Sequence, residues 1–362
     1  MGFIYTKSGK LAKRLYFGAV LLFEGLYYTF KNRVLADGGT FVENELPTIS
    51  QDASLVLTPN AYKVGKLYSA VPNDGTGDFT VDRNSTATYV DEDGLIKTAL
   101  VNVPRFDYSS GEAALLVEPR SANLYLNSAT LATQNITTTA NSYTVSFYGT
   151  GTITFSGSYS GSLVGTGTGV RVSKTFTATE GTLTSTISGT VTDGQCEKLM
   201  HTTSYIPTNG TTETRLLDVI GNSTLNYSGD YTIIFEIDRL FNFITGSTSV
   251  LRMTDLIGNI LHIYTNGVNP NYNIYLNQDG GYVYGFSLKS SAIGLNKLAI
   301  SFSNNIIKFY MNGVVIGDTY STLYRGLSKI DFLSYRTSKS VLSTKAYPTA
   351  LTDAQLIALT TL

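Results

Sequence analysis

Few side chains in this sequence are of the kinds that do covalent chemistry, and their spacing argues against most of it. His201 and His262 are the only histidines and Cys196 is the only cysteine. A structural zinc site takes four closely spaced Cys or His ligands, which these three residues do not supply. Cys196 stands in Asp193-Gly194-Gln195-Cys196-Glu197 without a neighbouring base, so it is expected to be a small strand or turn residue. His201 lies amid Thr and Ser, and His262 in Ile260-Leu261-His262-Ile263-Tyr264; both are expected to be strand residues rather than metal ligands. There is no Gly-x-Ser-x-Gly nucleophile elbow and no phosphate-cradling loop. Glycoside cleavage needs paired carboxylates, and Glu236 with Asp238 or Asp91 with Asp93 are the nearest candidates. Residues two apart on a strand share a face as a matter of course, so neither pair is diagnostic. Asp91-Glu92-Asp93-Gly94 resembles the start of a calcium loop, but Asn102 stands where the closing Glu belongs, and a solvated turn is expected. No cofactor is expected, calcium being the one left open, and the chain is read as a non-enzyme.

Binding is the chemistry these residues suit better. Exposed aromatics stack on sugar rings, and amides and hydroxyls meet sugar hydroxyls. Two stretches expected to be loops combine these types: one with Asn269, Asn271, Tyr272 and Asn273, the other with Asn277, Asp279 and Tyr282. Loops at the ends of a sandwich carry function more often than its sheets do. The same tyrosines suit a subunit interface, where Tyr is enriched.

The elements that must position these residues are strands. The 362 residues include 25 Tyr, 17 Phe and 34 Gly but only 8 Pro, with Thr and Ser between the aromatics, a bias suited to pleated, half-buried surfaces joined by tight turns. With 26 basic and 27 acidic residues the net charge is -1, which gives no case for nucleic acid or an anionic membrane as partner. A lone cysteine forms no intrachain disulfide, so folding does not depend on an oxidising compartment.

Four zones follow. Residues 1–49 carry Lys7, Lys10, Lys13 and Arg14 ahead of an apolar run at 15–30. Glu24 interrupts the run, no small-x-small cleavage site follows, and the run is shorter than the ~20 residues that span a bilayer. It is read as a docking segment for a larger assembly, through Leu15, Phe17, Leu21, Leu22, Phe23, Leu26, Tyr27 and Phe30, without membrane insertion. Residues 50–126 read as a short-stranded β connector. Residues 127–207, with Tyr143, Val145 and Phe147 alternating with Thr144 and Ser146, read as a small antiparallel sandwich or jelly-roll. Residues 208–362 read as a larger sandwich. There Tyr231, Ile233, Phe235 and Ile237 oppose Thr232, Ile234, Glu236 and Asp238, and Asn312-Gly313 signals a hairpin. A closing helix has Thr352 as N-cap and Gln355 completing a capping box, with Leu356, Ile357 and Leu359 on its apolar side. The fold class is therefore all-β with a terminal helix.

Two stretches resemble known families. Asn296-Lys297-Leu298-Ala299-Ile300-Ser301-Phe302, then Lys308-Phe309-Tyr310-Met311-Asn312-Gly313, then Ala346-Tyr347-Pro348-Thr349-Ala350-Leu351-Thr352-Asp353-Ala354-Gln355, resemble the concanavalin A-like, laminin-G-type sandwich over about 150 residues. The usual Trp is replaced near Asn296, and the usual calcium aspartates have no counterpart. The connector, from Asp82-Arg83-Asn84-Ser85-Thr86-Ala87 through Asn102-Val103-Pro104-Arg105-Phe106-Asp107-Tyr108 to Leu115-Leu116-Val117-Glu118-Pro119-Arg120-Ser121-Ala122-Asn123-Leu124, resembles a segment of bacteriophage tail and fibre proteins. That resemblance implies a virion structural protein, a fibre or spike on tail or capsid, often homotrimeric. It implies as partners other virion proteins through the N-terminus and a host cell-surface glycan. A polysaccharide depolymerase, a passive capsid decoration or adaptor, and a secreted bacterial lectin are the alternatives. Within the connector, Arg83, Arg105 and Arg120 stand near Asp82, Asp107 and Glu118, and such pairs fix a domain orientation, a subunit contact or only a local turn.

Overall fold

The structure is a computed structural model that describes residues 29–42, 52–239, 247–266, 269–278, 281–287, 294–320, 324, 326–333 and 338–362. It is all-β with short helices, and two sandwiches account for nearly all of it. The larger sandwich packs two antiparallel sheets over one core. The first sheet runs in the order Val314–Tyr320, Ile306–Met311, Gly294–Ser303, Tyr231–Arg239, Lys339–Tyr347, Leu55–Lys63. The second runs Phe79–Asp82, Val219–Asn222, Lys329–Phe332, Ser247–Thr254, Ile260–Asn266, Asn269–Gln278, Gly281–Ser287. Period-two alternation sends Ile233, Phe235, Ile300 and Phe309 inward from the first sheet, and Met253, Ile263, Ile274 and Phe332 inward from the second.

The outer face of the first sheet is covered. Ile234, Ala299, Tyr310 and Tyr347 point away from the main core into a second one, where Phe30 and Val34 of the helix at 29–36 meet Leu356 of the helix Asp353–Thr360. Phe30 and Val34 are four apart and share a helix face. Arg33 ties this helix down through Asp78 at 2.9 Å and lies over the Tyr68 ring. Phe30, assigned above to virion docking, is thus only 1% exposed inside this chain's own core. Leu15, Phe17, Leu21, Leu22, Phe23, Leu26 and Tyr27 lie outside the described residues. The C-terminal helix has the expected capping box, but it buries Leu356 and Thr360 and leaves Ile357 and Leu359 partly exposed.

The connector does not stand apart. Strands Leu55–Lys63 and Ala114–Val117 both pair with Lys339–Tyr347, and Phe79–Asp82 pairs with Val219–Asn222, so residues from 55 to 117 are woven into the larger sandwich. Pairing such as Leu55 with Ala346 joins opposite ends of the sequence, which local periodicity does not reveal. The smaller sandwich packs sheet Gly167–Ala178, Asn141–Gly149, Thr192–Glu197 on sheet Gln134–Thr138, Gly181–Ser188, Thr152–Gly157, Gly161–Val164. Its core holds Tyr143, Val145, Phe147, Phe155 and the buried Cys196, whose thiol is pushed well up by burial. It is an insertion: chain entry and exit run side by side, Ser121–Asn123 against Glu213–Arg215.

Candidate functional site: an ionic neck and an open sheet face

The two sandwiches meet at that double-stranded neck, and the charged residues of the connector motif converge there. Arg105 donates through Nη1 to Glu118 Oε2 at 2.6 Å, to the Thr88 carbonyl at 2.9 Å and to Ser204 Oγ at 2.8 Å, and through Nη2 to Asp218. Arg83 donates to Asp218 Oδ1 at 3.1 Å and to the carbonyls of Ser85, Leu100 and Val103. Arg215 reaches Glu118 Oε2 at 2.8 Å and the Pro119 carbonyl. Glu118 also accepts from the Ser204 amide and hydroxyl, which belong to the returning end of the small sandwich. All five charged side chains are at most 2% exposed. Glu197, equally buried, accepts from Ser121 and Thr203, and the Thr203 hydroxyl in turn accepts from Arg215. Burial would raise the Glu118 carboxyl, but Arg215 and Arg105 outweigh it and hold the group down at about 2. Removing one partner from such a buried set costs ~3–5 kcal/mol, because the others keep their desolvation without compensation. Asn123 completes the neck with four hydrogen bonds, two accepted by its Oδ1 from Tyr125 and Cys196 amides and two donated by its Nδ2 to Gly194 and Ile206 carbonyls.

Of the six connector charges singled out from the sequence, three enter this network. Asp82 and Arg120 are exposed, and Asp107 instead accepts from the amides of Val90 and Ser109. Asp218 and Arg215, which complete the network, lie about a hundred residues downstream and no local pattern marked them. Asp91-Glu92-Asp93-Gly94 is a turn in which Asp91 Oδ1 accepts from the amides of Asp93 and Leu95. Among the described residues no three His, Cys, Asp or Glu side chains are grouped to hold a metal ion, and no helix is long and apolar enough to cross a membrane. His201 is no strand residue: it is buried at a bend, with Nε2 3.1 Å from Ser338 Oγ across the two sandwiches, and burial lowers it to about 4.

The stretch expected to be a loop around Asn269–Asn273 is strand. Asn269, Asn271, Tyr272 and Asn273 fall in Asn269–Gln278, and Tyr282 falls in Gly281–Ser287. The reason is the alternation of its second half, where Ile274 and Leu276 go inward while Asn273, Tyr275 and Asn277 stay half-buried on the outer face. The side chains of Asn269, Asn271, Tyr272 and Tyr282, and all of Asp279, lie outside the described residues.

Asn273 and Asn277 therefore belong to a sheet face. Register lines up Thr80, Gly221, Asp331, Arg252, His262, Tyr275 and Gly285 as one cross-strand row over the second sheet. Arg252 grips Asp331 Oδ2 through Nε at 2.9 Å and Nη2 at 2.7 Å, and Lys329 reaches Asp331 Oδ1 at 3.2 Å. Gly221 makes room for that carboxylate, since a Cβ there would lie 2.4 Å from Asp331 Oδ1. The His262 ring sits 5.8 Å from Tyr264 and 6.4 Å from Tyr275, and Asn277 Nδ2 donates to the Tyr275 hydroxyl at 3.1 Å. Burial, then Arg252, lowers His262 to about 4, so it is a neutral imidazole at neutral pH. Among the described residues no helix or third layer packs on this face.

No family model matches the chain, and no curated protein does. Among solved structures, the CBM40 of the Ruminococcus gnavus IT-sialidase bound to alpha2,3 sialyllactose is similar at 19% identity and TM-score 0.30, covering 37% of this chain and 83% of that one. A leech intramolecular trans-sialidase is similar at 18% identity and TM-score 0.30, covering 37% and 23%. The binding domain of botulinum neurotoxin serotype G is similar at 10% identity and TM-score 0.32, covering 39% of each chain.

Proposed function

We propose that this chain is a non-catalytic structural and attachment protein of a bacteriophage particle, held by its N-terminal segment and presenting its larger sandwich to a host-surface glycan. The observation that supports this best is the polarity of that sandwich. Residues 1–28 join the described fold at the helix covering one sheet, while among the described residues nothing packs over the aromatic and polar side chains on the outer face of the opposite sheet. A particle contact made near the covered side leaves the open side pointing outward. The buried network at the neck supports the same reading, because it couples two β domains into one body. The resemblance of residues 82–124 to tail and fibre proteins supplies the virion context.

The truncation that tests this starts at residue 29. A longer deletion removes Phe30, Val34 and Phe41, which the fold itself uses. The chain lacking residues 1–28 is expected to keep its circular dichroism and unfolding midpoint yet to be missing from assembled particles. Incorporation at the full-length level would sink the docking role.

A further inference from the structure

Resting on the attachment reading, we propose that the open sheet face is the glycan site, that Arg252, His262 and Tyr275 are its centre, and that its ligand is a glycan bearing carboxylate sugars. The row ends beside Tyr275 at Gly285, its cross-strand partner, while at Gly221 the space above the backbone is taken by the Asp331 carboxylate. Tyr275 is held by Asn277 and by the edge of His262, which fixes the phenol before any ligand arrives and lowers the ordering cost of stacking. Tyr264 and Asn273 flank it as direct cross-strand partners. From Arg252 to Tyr275 the row crosses two strand gaps, ~10 Å, which gives room for a disaccharide.

Charge selects the class of sugar. Asp331 is only 5% exposed and lies beneath two cations, Arg252 at 36% and Lys329 at 37%. The carboxylate is thereby neutralised from above, and the outward groups of the pair are the cations. A planar guanidinium with donors still facing solvent suits a carboxylate. The imidazole of His262, neutral at working pH, adds no charge of its own to the face. A neutral polysaccharide would satisfy the tyrosines and leave the cations idle.

The full chain should be applied to immobilised glycans carrying uronic or nonulosonic acids and to their neutral counterparts. Retention of the acidic set only, weakening as salt rises, is the expected result. Tyr275→Ala should lower affinity ~10-fold, the upper range for losing an aromatic stacking contact. Arg252→Gln should abolish the preference for acidic over neutral glycans. Each variant must match the parent in circular dichroism and unfolding midpoint; His262→Gln, which keeps a hydrogen-bonding side chain, serves as a second variant if Arg252→Gln misfolds. Equal binding of neutral glycans, or full affinity in a folded double variant of Tyr275 and Arg252, would overturn the proposal. Adsorption of particles to cells separates this from the wider reading. Loss with the double variant supports the face. Adsorption unchanged by the double variant, but lost without the chain, moves attachment to another surface. Adsorption unchanged without the chain removes the attachment role itself.

Discussion

Lys339 has none of its surface exposed, and its Nζ donates to the Leu333 carbonyl beside the neck. Burial lowers its amine to about 7, with Asp218 opposing the shift. The folded value lies below the ordinary 10.5, so between these pH values the unfolded chain holds a proton that the folded chain does not. Stability should therefore rise with pH from about 7 towards 10. Above that the buried tyrosines Tyr125 and Tyr324, whose hydroxyls burial pushes well up, count in the opposite sense. Urea unfolding followed across this window should show the slope, and Lys339→Met should flatten it while raising stability at pH 7. A parent chain with no slope would show that Lys339 keeps its proton in the folded state. On the acid side His201 and Glu118, both lowered, work together: stability is lost as pH falls from the ordinary histidine range towards about 4, and further towards about 2.

At the scale of single elements, the hairpin at Asn312-Gly313 shows how local chemistry sets register. Both residues have positive φ, 51° and 78°, and Met311 pairs with Val314 across them. The Gly313 amide also donates to Thr360 Oγ1, so the turn holds the end of the terminal helix. Gly313→Ala is expected to cost ~1–2 kcal/mol for the left-handed backbone alone. Its Cβ would also lie 2.9 Å from Thr361 Oγ1. A chemical-denaturation midpoint unchanged by the substitution would show that the turn relaxes freely. This hairpin and the Thr352 cap were legible in the sequence because each is decided by residues a few positions apart. The all-β class was legible too, from alternation at Tyr231–Ile237 and Leu298–Phe302. What escaped was everything decided by long-range pairing. Arg83 meets Asp218 across 135 residues, and Leu55 meets Ala346 across most of the chain. The row through Arg252, His262 and Tyr275 exists only once three strands are in register, so loops rich in Asn and Tyr drew attention that the neighbouring strand face warranted more.

For the whole molecule, the insertion of one sandwich into the other makes a testable claim about independence. Asn123 and Glu213 are cross-strand partners, so residues 124–212 can be replaced by a short glycine-containing turn. The excised chain is expected to keep the larger sandwich folded but to melt at lower temperature, because Glu118 and Arg215 lose Ser204 and Thr203. Limited proteolysis and circular dichroism would check this, and an unfolded product would mean that the two sandwiches form a single cooperative unit. The side-by-side entry and exit strands also have a mechanical consequence. On the proposed attachment role, a pull between the N-terminal segment and a ligand on the outer sheet face runs through the larger sandwich, from the layer of Phe30 and Val34 across its core. The smaller sandwich hangs beside that line of force as a side branch, so its strands and loops away from Thr203 and Ser204 bear no tension and can vary without weakening the tether.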